Sequence, residues 1–228
     1  VPDAESHDGR PGRTPLSFAA IADAAIRLAD HGGMHAVSMR KVAAELGSGT
    51  MSLYRYVANK EQLYALMCDT VLAAEPAPAR SGDWRADLRA LAESERAVYR
   101  RHPWMLDSIS PLGPGGIARV ENSLALLAPT GLAMDDIVGV LGMVSSTVHA
   151  AIRHEMSVAD LHRSTGMDVH EWHAAHSGDI KGLQGGEFPM VARMIAETGR
   201  VDHDAAFHRS LAIVLDGVAA LIARTGAG

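Results

Sequence analysis

Residues 38–63 read SMRKVAAELGSGTMSLYRYVANKEQL, and the small polar residues and glycines in this stretch decide the fold. Ser38 is a good N-cap, and Val42, Ala43 and Leu46 follow it at helical spacing until Gly47 stops the run. A second short helix is expected from about Thr50, on which Leu53 and Val57 lie about 40° apart and face inward. Asn59 then caps a longer helix, with Gln62 three residues on as in a capping box, and the apolar phase runs to about Ala74. Upstream, Phe18, Ile21, Ala25, Leu28 and Ala29 give another helix beginning after Ser17 and ending at His31-Gly32-Gly33.

Two short helices joined by Gly47-Ser48-Gly49 have the spacing of a helix-turn-helix, in which the first helix braces the second and the second enters the major groove of DNA. With Leu53 and Val57 inward, Met51, Ser52, Tyr54 and Arg55 project outward. Outward side chains in the first turns of such a helix can reach base edges, while residues at its ends meet phosphates.

The run VAAELGSGTMSLYRYVANKEQL, led by the first helix and SMRK, resembles the DNA-binding domain of the TetR family of repressors, above all in its L-Y-x-x-V-x-N-K segment. The match covers about residues 14–74. Carried over residue by residue, the resemblance implies that Arg40 reaches base or phosphate from the second helix. It also implies that Thr50, Met51 and Tyr54 lie in or beside the groove, and that Ser52, Tyr56 and Lys60 lie on phosphates. The implied partner is a double-stranded operator. Arg55 stands where the family varies freely, so its role is open.

A net charge of −6 sits oddly with a DNA reader until the charges are located. Residues 14–64 carry Arg27, Arg40, Lys41, Arg55 and Lys60 against Asp23, Asp30, Glu45 and Glu61, whereas residues 65–228 carry 14 basic against 20 acidic side chains. The acidity lies away from the reading head. The local basic excess is still small, so non-specific affinity should be weak and specificity should rest on a few contacts doubled by a dimer. Residues 1–15 lack periodicity and read as a flexible arm, with Arg10 and Arg13 available to a minor groove or to solvent.

An apolar fraction of 47% with only 4% aromatics, and no long apolar–polar alternation, argues for an all-α chain with a sizeable core. The single cysteine, Cys68, cannot form an internal disulfide and falls in a helical pattern, where a small core residue is expected. No apolar run approaches the ~20 residues of a membrane span and no signal-peptide pattern opens the chain, so a cytoplasmic protein without a membrane partner is expected. EPAPARSGD at 75–83 marks a linker. The expected division is therefore an arm at 1–15, a DNA-binding domain at 16–74 whose linking helix is 59–74, and a regulatory domain at 75–228. Helices are expected there near 83–101, 103–109, 114–128, 135–157, 188–198 and 202–224. The His-rich, Gly-rich stretch 166–187 reads as a mobile loop.

In the helix at 135–157, Gly139, Gly142, Ser145, Ser146 and Ala150 alternate with Ile137, Leu141, Val144, Val148 and Ile152, and the last helix presents Phe207, Leu211, Val214, Val218 and Leu221. Both read as packing seams, either within the chain or to a second copy. RHPWMLDSISPLGP and FHRSLAIVLDGVAALIAR resemble the regulatory domain of the tetracycline-repressor branch, which implies a homodimer through these two helices of each chain and a small-molecule effector. Trp104, Ser108, Asn122, Met143 and Thr147 supply the mixture of apolar walls and few polar groups that suits a drug-sized organic ligand. His149 and Arg153 could orient a polar ligand group or face solvent.

His170, His173 and His176 recur every three residues beside Glu171, but the third drifts about 60° off the face shared by the first two, and no fourth fixed ligand is evident. No metal and no cofactor is therefore expected. The chain lacks the paired Glu and Glu-x-x-His set of a helical-bundle metalloenzyme, a phosphate-binding Gly-rich loop and a nucleophile elbow, so no enzyme is expected. The remaining alternative is a dimeric adaptor or metal-binding protein whose helix-turn-helix no longer reads DNA.

Overall fold

The computed structural model describes residues 16–107, 113–177, 187–197 and 202–226, and among them every regular element is helical. In chain order these are α1 (Phe18–Gly32), α2 (Met39–Glu45), α3 (Thr50–Leu53), α4 (Lys60–Ala74), α5 (Trp84–Arg101), α6 (Pro114–Leu127), α7 (Met134–Thr165), α8 (Val169–Ser177), α9 (Pro189–Glu197) and α10 (His203–Thr225), with short 3-10 turns at Met34–Ala36, Pro103–Asp107 and Ala128–Thr130. The all-α expectation holds. The chain forms two compact units, one built from residues up to Ala77 together with Val98–Ser123, the other from Pro78–Ala97 together with Leu124 onward. The arm at 1–15 and Ser108 lie outside the described residues.

In the first unit the local signals act as expected. Ser17, Ser38 and Asn59 each accept a backbone N–H of the following helix, which satisfies donors that have no intrahelical acceptor. Gln62 completes the box by accepting the N–H of Ala58 at 2.9 Å. Gly33 ends α1 with φ 68° and Gly47 ends α2 with φ 59°, left-handed values that cost a side chain energy and glycine nothing. The buried face of α1 (Ile21, Ala24, Ala25, Ala29) meets Val42 and Ala43 of α2, Leu53 and Val57 around α3, and Leu63 and Met67 of α4. Cys68 is buried in this core and forms no disulfide.

The second unit is held by α5, α7 and α10. In the first turn of α5 lies Asp87, only 4% exposed, whose carboxylate accepts the Ser81 N–H (2.8 Å), the Ser81 hydroxyl (2.7 Å) and the Gly82 N–H (3.3 Å). Farther along, Leu88, Ala92 and Arg96 share one buried row at i, i+4 spacing. The Arg96 guanidinium donates to Glu155 of α7 at 2.6 Å, lies 2.9 Å from Asp204, donates to the His203 carbonyl at 3.2 Å and stacks 4.3 Å from the Phe207 ring centroid of α10. Three helices are thus tied at one buried cation.

Three readings need correction. The long helix does not stop near 157 but continues to Thr165, where Gly166 in the left-handed conformation caps it. The stretch expected as a mobile loop contains α8, opened by a reciprocal box in which Asp168 accepts the Glu171 N–H and Glu171 accepts the Asp168 N–H, both at 2.8 Å. Asp-x-x-Glu was legible there, and the histidines and glycines around it masked it. Finally, α7 and α10 are each long and apolar enough, by length and composition alone, to cross a membrane. They pack along one another and bury Ile137, Val144, Val148 and Ile152 of α7 with Phe207, Leu211, Leu215 and Val218 of α10. That apolar content is what a helix needs when it packs on more than one side.

Candidate nucleic-acid interface

The helix-turn-helix is formed by α2 and α3, which pack on each other and on α1. Leu53 and Val57 are buried as expected. On the opposite side Met51 is 78% exposed and Tyr54 45% exposed, and Arg40, Arg55 and Lys60 are exposed as well, while Thr50 and Ser52 are half-buried. An exposed methionine beside an exposed tyrosine, flanked by cations at both ends, is a surface that a solvated head would not favour and a groove reader can use. Thymine methyl groups accept apolar contact, and the flanking cations suit phosphates.

Two of the expected contacts are also engaged within the head. Lys60 donates to the Met34 carbonyl at 3.2 Å, which fixes the start of α4 against the turn after α1 and leaves two ammonium protons for a phosphate. The half-buried Tyr56 donates its hydroxyl to the Leu16 carbonyl at 2.8 Å and packs edge-on against Phe18 with centroids 5.2 Å apart. Its one O–H proton is spent there. Arg27 pairs with Glu45 at 3.6 Å across exposed surface, which ties up one charge of each sign and leaves the small basic excess of the head unchanged.

The residues expected around an effector are divided between the two units. Trp104 is 2% exposed within the core of the first unit. Its indole N–H donates to Asp30 of α1 at 2.7 Å and its ring meets Tyr64 of α4 edge-on. Asn122 is half-buried on α6, in the same unit. Met143 and Thr147 belong to the second unit, Met143 being 56% exposed and Thr147 donating its hydroxyl to the Met143 carbonyl at 2.9 Å. Sequence reasoning passed over Glu95, whose carboxylate takes the Ser145 hydroxyl at 3.0 Å between α5 and α7. It also passed over Arg96, and a charged residue in the buried phase of α5 was the available signal. His149, half-buried on α7, has its pKa lowered by burial and by the neighbouring Arg153. In α8, His176 stacks on Trp172 with centroids 4.4 Å apart. Among the described residues no three His, Cys, Asp or Glu side chains are gathered as metal ligands.

Fold and site define a helix-turn-helix transcriptional regulator, with a small reading head near the N-terminus and a larger all-α part following it in sequence. The family models agree: residues 21–67 match "Bacterial regulatory proteins, tetR family" and residues 75–222 match "Tetracyclin repressor-like, C-terminal domain". The chain belongs to the TetR family. It is 39% identical over 224 residues to the HTH-type transcriptional repressor DrrR1 of Streptomyces coeruleorubidus, covering 94% of this chain and 83% of that protein. Among solved structures it resembles apo ActR from Streptomyces coelicolor, with 28% identity, a TM-score of 0.76, and coverage of 94% of this chain and 99% of that one. It resembles ActR in complex with actinorhodin equally well, with 27% identity, a TM-score of 0.77, and coverage of 90% and 96%.

Proposed function

We propose that this regulator is a homodimeric repressor that reads a palindromic operator through α3 and is released by a small organic molecule. The observation that carries the reading is the two-faced α3 and the turn that follows it, with Leu53 and Val57 buried and Met51 and Tyr54 exposed between Arg40 and Lys60. Thr50 and Ser52 complete the contact set, and Tyr56 serves it as a strut. The functional division at 16–74 and 75–228 follows the same reading. A protein of this kind works in the cytoplasm, and it is a binder rather than an enzyme, as its named relatives are transcriptional regulators.

A second copy is supported by the face that α7 and α10 leave uncovered. The residues first read as seams mostly serve the chain's own core, with Ile137, Val144, Val148, Ile152, Phe207, Leu211 and Val218 all buried. Exposed beside them are Val138 (56%) and Ile213 (73%). A Cβ at Gly139, Gly142 or Gly217 would meet nothing of its own chain within 4 Å. Glycine inside a helix costs about 0.5–1 kcal/mol relative to alanine, and nothing in the chain itself requires it at these positions. Close approach of another helix does. A two-fold dimer in turn presents two reading heads to a palindrome.

Release follows from linkage: an effector that binds more tightly to a conformation with the wrong spacing of the two heads weakens operator binding by the same coupling energy. The structure of the similar ActR with actinorhodin motivates the effector class and offers a first probe. The experiment is selection of bound duplexes from a random pool at fixed salt, repeated with Arg40→Ala and Lys60→Ala, followed by titration of the selected duplex with actinorhodin and related organic molecules. An enriched palindrome lost in both variants supports the reading. Failure to enrich any duplex overturns it, and an operator complex that no organic molecule weakens overturns the release step.

A further inference from the structure

Arg55 has no place in the contact set proposed above, yet the winding of the reading helix gives it the most outward position there. Helical winding continues past Leu53. The Tyr54 N–H donates to the Thr50 carbonyl at 3.3 Å, the Tyr56 N–H to the Leu53 carbonyl at 2.8 Å and the Val57 N–H to the same carbonyl at 3.0 Å, with Tyr54 itself in the right-handed helical region. Leu53 and Val57 are 0% and 2% exposed, so the mid-line between them marks the direction of the core. At about 100° per residue, Tyr54 lies about 80° from that mid-line, Met51 about 140° and Arg55 about 180°. Arg55 is the crown of the reading surface.

The crown is also available. Arg55 is exposed, and among the described residues it has no hydrogen-bond or ion-pair partner. Other cations of the head are engaged: Arg27 pairs with Glu45, and Lys60 donates to the Met34 carbonyl. Between Glu45 and Glu61 the sequence has no carboxylate, so no acid beside Arg55 in the chain offsets its charge. A helix about 10–12 Å across with its side chains fills a major groove about 12 Å wide. Its flanks then meet the walls, where the phosphates run, and its crown meets the floor, where the base edges are. The planar guanidinium fork matches two acceptors side by side, which guanine presents there as N7 and O6. Reading cytosine through its N4 donor calls for a carboxylate, and this stretch has none.

We propose that Arg55 reads a guanine in each half-site, its guanidinium donating to N7 and O6 in the major groove. The proposal rests on the DNA-reading function above and deepens it by naming a base and the group that recognises it. Met51 precedes Arg55 by four residues, about 6 Å along the helix, and successive bases of a strand are about 3.4 Å apart. The guanine therefore lies about two base pairs from the pair that Met51 meets. Met51 and Arg55 form one outward row, an apolar contact followed by a charged fork.

The test uses the full chain. Duplexes are selected from a random pool by the wild type and by Arg55→Ala, and affinities for the selected duplex and for a random one are measured across salt. The expected wild-type half-site holds a guanine that Arg55→Ala no longer selects, with the other positions kept. Arg55→Ala should weaken the selected duplex by about 10- to 100-fold per half-site, while its affinity for random duplex stays within about threefold and its salt slope is unchanged. Replacing that guanine by 7-deazaguanine removes the N7 acceptor. The substitution should weaken the wild type by about tenfold, the size of one charge-assisted hydrogen bond, and Arg55→Ala not at all. The base-reading role alone is overturned by reselection of the wild-type sequence by Arg55→Ala, or by equal sensitivity of both proteins to 7-deazaguanine. It is overturned as well by equal weakening of selected and random duplexes with a lower salt slope, which marks a phosphate contact. A wild type that selects no duplex overturns the DNA-reading function and this role with it.

Discussion

The hydroxyl of Tyr56 donates to the backbone carbonyl of Leu16, 40 residues away in sequence, at 2.8 Å. The bond closes the head on itself, because it ties the chain leaving α3 to the chain entering α1. Tyr56→Phe keeps the edge-on contact with Phe18 and removes only this bond. The expected cost is about 1 kcal/mol, typical of a neutral hydrogen bond, read as a lower urea midpoint at fixed protein concentration. Operator affinity of the folded variant should stay within about threefold of wild type, under 0.7 kcal/mol, because the proton it lacks was never available to phosphate. A larger loss would return Tyr56 to the phosphate contacts.

Arg96 is expected to be among the most sensitive positions in the second unit. Its side chain is 3% exposed and its chief partner Glu155 17% exposed, whereas Asp204 is 63% exposed. Removing one partner of a buried pair costs about 3–5 kcal/mol, since the other charge stays behind. Arg96→Ala should therefore approach that loss in chemical denaturation, and Asp204→Ala should cost about 1 kcal/mol or less, as an exposed pair does. Arg96→Met, which fills the volume over Phe207 without the charge, should recover part of the loss only when combined with Glu155→Gln. Equal effects of Arg96→Ala and Asp204→Ala would show that the buried cation is not the tie between α5, α7 and α10.

Acid sensitivity should begin at the start of α5. The Asp87 carboxyl has its pKa lowered, first by the Ser81 hydroxyl and then by the Ser81 N–H, with Gly82 and Arg80 adding to the effect and burial opposing it. A carboxyl whose folded pKa lies below its unfolded value stabilises the fold above the unfolded value of about 3.9 and loses that contribution as pH falls through the folded value. Asp87→Asn should thus be destabilised relative to wild type at pH 6, and the gap between the two should shrink below about pH 3.9. Urea midpoints at both ends of this range decide it, and a gap independent of pH would mean the carboxylate's charge plays no part. His149 acts in the same direction at higher pH: burial lowers its pKa, so its neutral form favours the fold above about 6.5 and that advantage fades as pH falls below it.

The head was legible because its signals are local. Ser17, Ser38 and Asn59 as caps, Gly33 and Gly47 as stops, and Leu53 with Val57 on one face each fix the backbone within a few residues, and the structure shows them acting there. The rest of the chain was legible only in outline. Asp168 and Glu171 cap α8 inside a stretch whose composition pointed to a loop. Trp104 was singled out in HPWMLDSISPL as a ligand contact, and its hydrogen bond to Asp30, 74 residues away, is one that no periodicity announces. Close approaches such as Gly115 on Ala73 are likewise set by tertiary packing, which a single sequence does not carry.

Two exposed residues of the reading head should separate affinity from specificity. Lys60 offers a charge beside the start of α4, and Met51 offers 78% of its surface and no charge. If Lys60 meets phosphate, Lys60→Ala weakens selected and random duplexes alike and lowers the slope of log affinity against log salt by about 0.9 per head, close to 2 for a dimer. If Met51 meets base edges, Met51→Ala leaves that slope unchanged, weakens the selected duplex by about 1–3 kcal/mol and relaxes preference at one or two positions of each half-site. Salt titrations on both duplexes, with reselection by Met51→Ala, measure all of this. A salt slope lowered by Met51→Ala, or a reselected sequence identical to that of the wild type, would place Met51 outside the groove and leave Tyr54 as the apolar contact of α3.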